Sequence, residues 1–336
     1  MRKLIQLPLS LCILSLALLA SCDKPAGEGT GKSKADERIL PSSQGTHTEL
    51  LVVMPDELWE GAVGEVFREE FLEPVAGLPK NQPYFFVSQV NPKDVNKTLK
   101  MAKSIYWVQL SDTSFTTMQK DVFARPQRFS RITATSERAL IRAIQSSSDQ
   151  MVKEFKNHDL KVVQQRLRKV CYANTHENLR DLGIKRMLLQ KGFEPTLDKE
   201  DLKMFRINTR KTIQFIMVHE RPLDKENISL DDIISNRDSI SKNYFEGSIE
   251  GSYMLTEMQV MPEISNTTIG GLYAVETRGL WRLEGEYMGG PFLSYTIYDD
   301  ANSRILTVEG MVYGPSAKKR NVMLDMEGML KSIILK

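Results

Sequence analysis

A few short patterns in this chain could carry chemistry. Gly31-Lys32-Ser33 has the ending of a phosphate-cradling loop, and His176-Glu177 and His219-Glu220 begin like the helix of a zinc protease. Cys171, shortly before His176, could supply a thiol nucleophile beside a base. Each pattern lacks a required part. Ala26 replaces the first loop glycine, and Arg180 and Leu223 stand where the second zinc-binding histidine should be. Pro222 also breaks the second candidate as a helix interior. Ser239-Ile-Ser-Lys242 and Ser316-Ala-Lys-Lys319 have the Ser/Lys spacing of penicillin-interacting enzymes without its companion elements, and Gly247-Ser248-Ile249-Glu250-Gly251 is misspaced for a hydrolase elbow. His47 and His158 stand in unrelated contexts, so neither a metal site nor a cofactor is expected. Cys171 reads as a packed small hydrophobe, and Met323, Met326 and Met329 as an apolar helix stripe rather than a Cu(I) site.

The stretch best suited to a ligand runs from Arg278 to Phe292. Its glycines and proline punctuate Trp281, Tyr287 and Phe292, with Arg278 and Arg282 beside the indole. Such a set could stack a sugar or acyl group while the guanidinium groups bind an anion. Arg278, Trp281, Arg282, Tyr287 and Phe292 are therefore the candidate ligand surface. The competing reading, a sharp sheet connection whose aromatics enter the core, predicts instead that Trp281 carries stability. Gly289 and Gly290 are expected to serve the fold in either case.

Before these elements lies an address. Arg2 and Lys3 precede an apolar run from Leu4 to Ala20 that is too short and too broken, by Pro8 among others, to span a bilayer. It reads as a secretory signal over residues 1–21. Leu19-Ala20-Ser21-Cys22 resembles the lipobox of bacterial lipoproteins, which implies acylation of Cys22. Losing the leader removes Arg2 and Lys3 from a chain of 45 Lys and Arg against 43 Asp and Glu, so the remainder is charge-neutral. A neutral chain has no counterion-release drive toward nucleic acid, so the membrane contact would have to come from lipid on Cys22. Cys12 leaves with the leader and Cys22 takes the lipid, so Cys171 has no intrachain partner.

Residues 22–48 read as the lipidated cysteine and a flexible tether, rich in Gly, Lys, Ser and Pro, which reaches on the order of 25–30 Å. An N-terminal α/β lobe with a long helix is expected over 49–195, and a strand-rich α+β lobe over 196–336. In the first, strands are predicted at 49–54, 84–90 and 105–110, helices from Pro55 and over 92–103, and a long helix from Ser136 to about Val170 with a break near Asn157. In the second, a hairpin over 204–219, a capped helix from Ser229 to Tyr244, strands at 292–298 and 304–313 and a last helix from Pro315 are predicted.

Arg237-Asp238, Glu250-Gly-Ser-Tyr-Met254, Gly279-Leu-Trp281, Met288-Gly-Gly-Pro-Phe292 and Glu309-Gly-Met-Val-Tyr-Gly-Pro315, taken with the lipobox, resemble an uncharacterised lipoprotein family of Bacteroidota-type bacteria, a domain of unknown function. The resemblance covers residue 49 to the C-terminus and implies a Gram-negative envelope location without an activity. The fold expected is α+β, with two packed lobes, the second built on a largely antiparallel sheet and a C-terminal helix. The function expected is a non-enzymatic binding or assembly module, lipid-anchored in the outer membrane, facing the periplasm and meeting an envelope protein, glycan or lipid but no nucleic acid. The alternative is an envelope hydrolase of glycan or peptide using carboxylates such as Asp238, Glu250 or Asp299.

Overall fold

The first sheet grows from a short apolar run whose residues are buried on both faces, as a central parallel strand requires. The computed structural model describes residues 39–78, 82–172, 177–224 and 228–336. The expected leader over 1–21, Cys22, Gly31-Lys32-Ser33 and His176 lie outside the described residues. The first lobe comprises β1 (Glu49–Val53), α1 (Asp56–Glu60), α2 (Ala62–Phe71), β2 (Phe86–Val90), β3 (Ser104–Leu110), β4 (Phe115–Lys120), β5 (Arg128–Ala134) and α3 (Glu137–Val170). Its strands lie in the order β2-β1-β3-β5-β4, parallel except for the edge strand β4. Leu50 and Val52 face Phe67, Leu140 and Phe155 on the helices, whereas Leu51 and Val53 face Phe129 and Trp107 on the other side.

Local chemistry corrects three expectations here. Gly61, extended at φ −90°, ψ −170°, divides the helix expected from Pro55 into α1 and α2. Residues 92–103 form only two short turns, because Asn91 and Asn96 accept from the N–H groups of Lys93 and Leu99 and so replace helical partners. Leu40 to His47, read as tether, is docked: Ser42 and Gln44 bridge to Arg125 and Ala102.

α3 runs unbroken for 34 residues, about 50 Å, through the break expected near Asn157. Its N-terminal half gives Leu140, Ile144, Met151 and Phe155 to the first core, and its C-terminal half gives Val163 and Leu167 to the second. The polar residues between mark the passage from one core to the other. Asp159, buried there, accepts from Thr48 N (3.1 Å) and Tyr84 Oη (3.3 Å).

The second lobe comprises α4 (Glu177–Asp181), β6 (Ile184–Arg186), β7 (Glu194–Asp198), β8 (Leu202–Asn208), β9 (Ile213–Pro222), α5 (Leu230–Tyr244), β10 (Tyr253–Thr256), β11 (Glu263–Ile269), β12 (Leu272–Glu284), β13 (Gly289–Asp299), β14 (Arg304–Tyr313), α6 (Lys319–Leu330) and β15 (Ile334–Leu335). Eight strands form one antiparallel sheet, ordered β10-β12-β13-β14-β9-β8-β7 with β11 also on β12, while β6 pairs with β15. α6 and the end of α3 pack on one face of the sheet and α5 on the other. The predicted capping box opens α5: Asp232 N donates to Ser229 Oγ (3.1 Å) and Ser229 N to Asp232 Oδ2 (3.0 Å). α6 starts at Lys319 rather than Pro315, because Ala317 N and Lys319 Nζ both donate to Gly314 O and hold a turn first. Met323, Met326 and Met329 are core residues. The architecture is thus α+β in two packed lobes, the second with its antiparallel sheet and C-terminal helix.

Candidate functional site

Where the lobes meet, a cleft of about 480 Å³ opens between the end of α2, the middle of α3, β12 and α6. Strand alternation places Glu276 and Arg278 on the same side of β12, and helical spacing places Glu327 one turn before Lys331, the residue that caps the end of α6. The four side chains close a compact network. Arg278 Nε lies 2.6 Å from Glu276 Oε1, and its Nη2 lies 2.8 Å from Glu327 Oε2. Lys331 Nζ lies 2.8 Å from Glu327 Oε1 and 3.3 Å from Glu276 Oε2. Burial pushes the Glu327 carboxyl up, but Arg278 and Lys331 overcome it and hold it at about 2. The quartet sets two cations against two carboxylates along one wall.

The opposite wall keeps unspent charge. α3 presents Asp149, Lys153 and Lys156, and α2 with its following loop presents Glu70 and Glu73. Glu70 accepts from Ser148 Oγ (2.5 Å), and Lys156 Nζ stands 5.2 Å from the centre of the Tyr84 ring. No ion pair among the described residues uses Glu73, Asp149, Lys153 or Lys156. Among the described residues, no serine, threonine, cysteine or histidine lines the cleft, and no group of acids, histidines or cysteines is placed to hold a metal. The arrangement suits a polar ligand that carries charges of both signs.

The expected ligand surface is not assembled. Alternation along β12 sends Trp281 to the face opposite Arg278 and Arg282. Trp281 and Phe292 are each only 1 % exposed and pack in the core beneath α5. Arg282 is engaged by Glu284 (2.5 Å) and Glu257 (3.6 Å), and Tyr287 stands exposed at the hairpin tip. Only Arg278 reaches the cleft. Gly290 has no left-handed backbone; a Cβ there would lie 1.9 Å from the Val312 carbonyl oxygen, so close strand packing demands the glycine. Cys171, half-buried at the end of α3, packs against the second core.

The motif residues behind the resemblance converge instead on Arg237. Its Nε donates to Glu309 Oε1 (3.0 Å), Nη1 to Thr256 Oγ1 (3.1 Å), and the guanidinium lies 4.2 Å from the centre of the Phe292 ring. Asp238 beside it accepts from Thr256 N (2.8 Å). The adjoining space, lined also by His219 and Thr307, measures about 10 Å³, no more than one water. This is a closed polar joint between α5 and the sheet. The proposed catalytic acids are likewise not gathered: Asp238 serves this joint, Glu250 is exposed in a turn, and Asp299 is buried against Arg304 (2.8 Å).

Sequence reasoning missed Tyr84, Lys156, Glu276, Glu327 and Lys331, which come from distant segments. The one local signal was a charge pair, Glu327 and Lys331, at helical spacing inside an apolar stripe.

Residues 174–332 match a family model described as a domain of unknown function (DUF4837), and residues 43–168 match another, domain of unknown function DUF8532. No curated protein matches the chain. Both similarities lie with domains of unknown function, so neither brings an activity.

Proposed function

We propose that the protein is a lipid-anchored lipoprotein of the bacterial envelope, held through Cys22 at the periplasmic face of the outer membrane, whose folded body is a non-enzymatic binding or assembly module. The observation that carries this reading is Cys22 itself, placed behind Leu19-Ala20-Ser21 at the end of a basic, then apolar leader. Two acyl signals or more anchor a protein stably at about 0.8 kcal/mol per buried CH₂. The cleft between the lobes supports the binding half of the reading, because it offers fixed and unspent charges of both signs. Its ligand is a polar segment of an envelope partner, a charged peptide fitting the lining best.

Growth with an alkyne-bearing fatty acid tests the anchor. The wild type should take up the label and Cys22→Ser should not, leaving the membrane fraction. A Cys22→Ser chain that has lost its leader and still resists a carbonate wash sinks the proposal. Lys153→Glu with Lys156→Glu should then reduce capture of crosslinked envelope partners while leaving membrane attachment intact.

A further inference from the structure

A second cavity, of about 320 Å³, opens where the start of β1 and β2 approaches the start of α6. Thr46, Thr48 and Phe86 line one side, and Lys318, Arg320 and Asn321 the other. Phe86 is 54 % exposed, and Lys318 Nζ lies 5.8 Å from the centre of its ring. Thr48 Oγ1 donates to Asn321 Oδ1 (3.1 Å), which orients that amide.

The two cations differ from those that hold the sheet and the cleft wall together. Arg237, Arg278, Arg304 and Lys331 each face a carboxylate within 3.0 Å. Among the described residues, Lys318 and Arg320 form no ion pair, and the buried Arg320 Nε has no hydrogen-bond partner. The cavity also holds one carboxylate, Glu49, which accepts from Thr46 N (3.0 Å) and Thr46 Oγ1 (2.8 Å) and pairs with neither cation. Burial lowers the pKa of Arg320, the mark of a guanidinium half withdrawn from water without a counter-charge. Such a group is costly unless an anion completes it.

We propose that this cavity binds a phosphate monoester, its dianion between the Lys318 ammonium and the Arg320 guanidinium and its esterified group against Phe86. Two cations match the two charges of the dianion, and the guanidinium fork matches phosphate geometry while lysine acts as a point charge. The volume admits a phosphate together with a ring-sized group. A soluble phosphorylated compound and a phospholipid headgroup share this chemistry. The site is independent of the cleft between the lobes and of lipidation at Cys22.

Calorimetric titration of the purified full chain tests it with two probes, phenyl phosphate and the water-soluble dihexanoyl phosphatidic acid. Saturable one-to-one binding is expected, with a Kd below about 1 mM. Lys318→Gln and Arg320→Gln should each weaken it about tenfold, Lys191→Gln should not, and all three should melt like the wild type. Tighter binding of the lipid probe identifies a headgroup, and tighter binding of phenyl phosphate a soluble compound. No saturable binding of either probe, or binding that survives both substitutions in variants that melt normally, overturns the proposal.

Discussion

Arg237 and Glu309 meet 3.0 Å apart beneath α5, with both side chains almost wholly withdrawn from water. Burial lifts the Glu309 carboxyl above the ordinary range even though Arg237 opposes it. The pair therefore joins α5 to β14 by mutual dependence more than by net attraction. Glu309→Ala should leave the guanidinium with only Asp238 (3.3 Å) and Thr256 as partners, and Arg237→Ala should leave a buried carboxyl unpaired; each should cost about 3–5 kcal/mol. The double substitution should cost clearly less than the two together. Urea melts of the three variants check this, and additive losses would show that the charges are not coupled.

Trp281 is a core residue, so Trp281→Ala should cost about 3–5 kcal/mol and lower the melting temperature by many degrees. Its indole Nε1 has no hydrogen-bond partner. Trp281→Phe therefore gives up packing alone and should cost distinctly less. A near-normal melt for Trp281→Ala would return the indole to the list of ligand contacts.

Glu327 gives the cleft wall a pH signature. A carboxyl held at about 2 in the fold stabilises it at any pH above the ordinary carboxylate range, and that contribution is lost as pH falls through about 4 toward 2. Glu327→Gln should be destabilising at neutral pH, by roughly 3–5 kcal/mol for a broken buried pair. Near pH 2 the variant and the wild type should converge. A constant gap across this range would mean that the network does not hold Glu327 ionised.

Histidines set a second window. Burial lowers His47, His158 and His219 to about 4 each. Their unfolded forms take up protons near 6.5 while the folded forms do not, so stability falls as pH drops from about 6.5 toward 4. Asp159 acts in the opposite sense: burial lifts it to about 7, so the fold holds its proton longer and gains stability as pH falls below 7. Three groups outweigh one, and the melting temperature should decline on acidification. His219→Gln should flatten that decline, and an equally steep profile would exclude His219 as a contributor.

The sequence by itself determined the elements whose signals are local. The apolar run at Glu49, the Ser229–Asp232 box, the hairpin at 299–303 and the methionine stripe of α6 each carry their own period or cap, and each forms as read. Tertiary structure decided the continuity of α3 through Asn157, because Thr48 and Tyr84 come from elsewhere to satisfy Asp159 where the helix passes between cores. It also decided which face of β12 reaches solvent. Trp281 and the arginines beside it looked like one surface because neighbours in sequence are near in space, yet a strand sends alternate residues to opposite faces and only the packed helices settle which face is buried. The cleft draws Glu70, Tyr84, Lys156, Arg278 and Glu327 from separate segments of both lobes, and no spacing within the chain encodes a meeting that exists only after the lobes have packed.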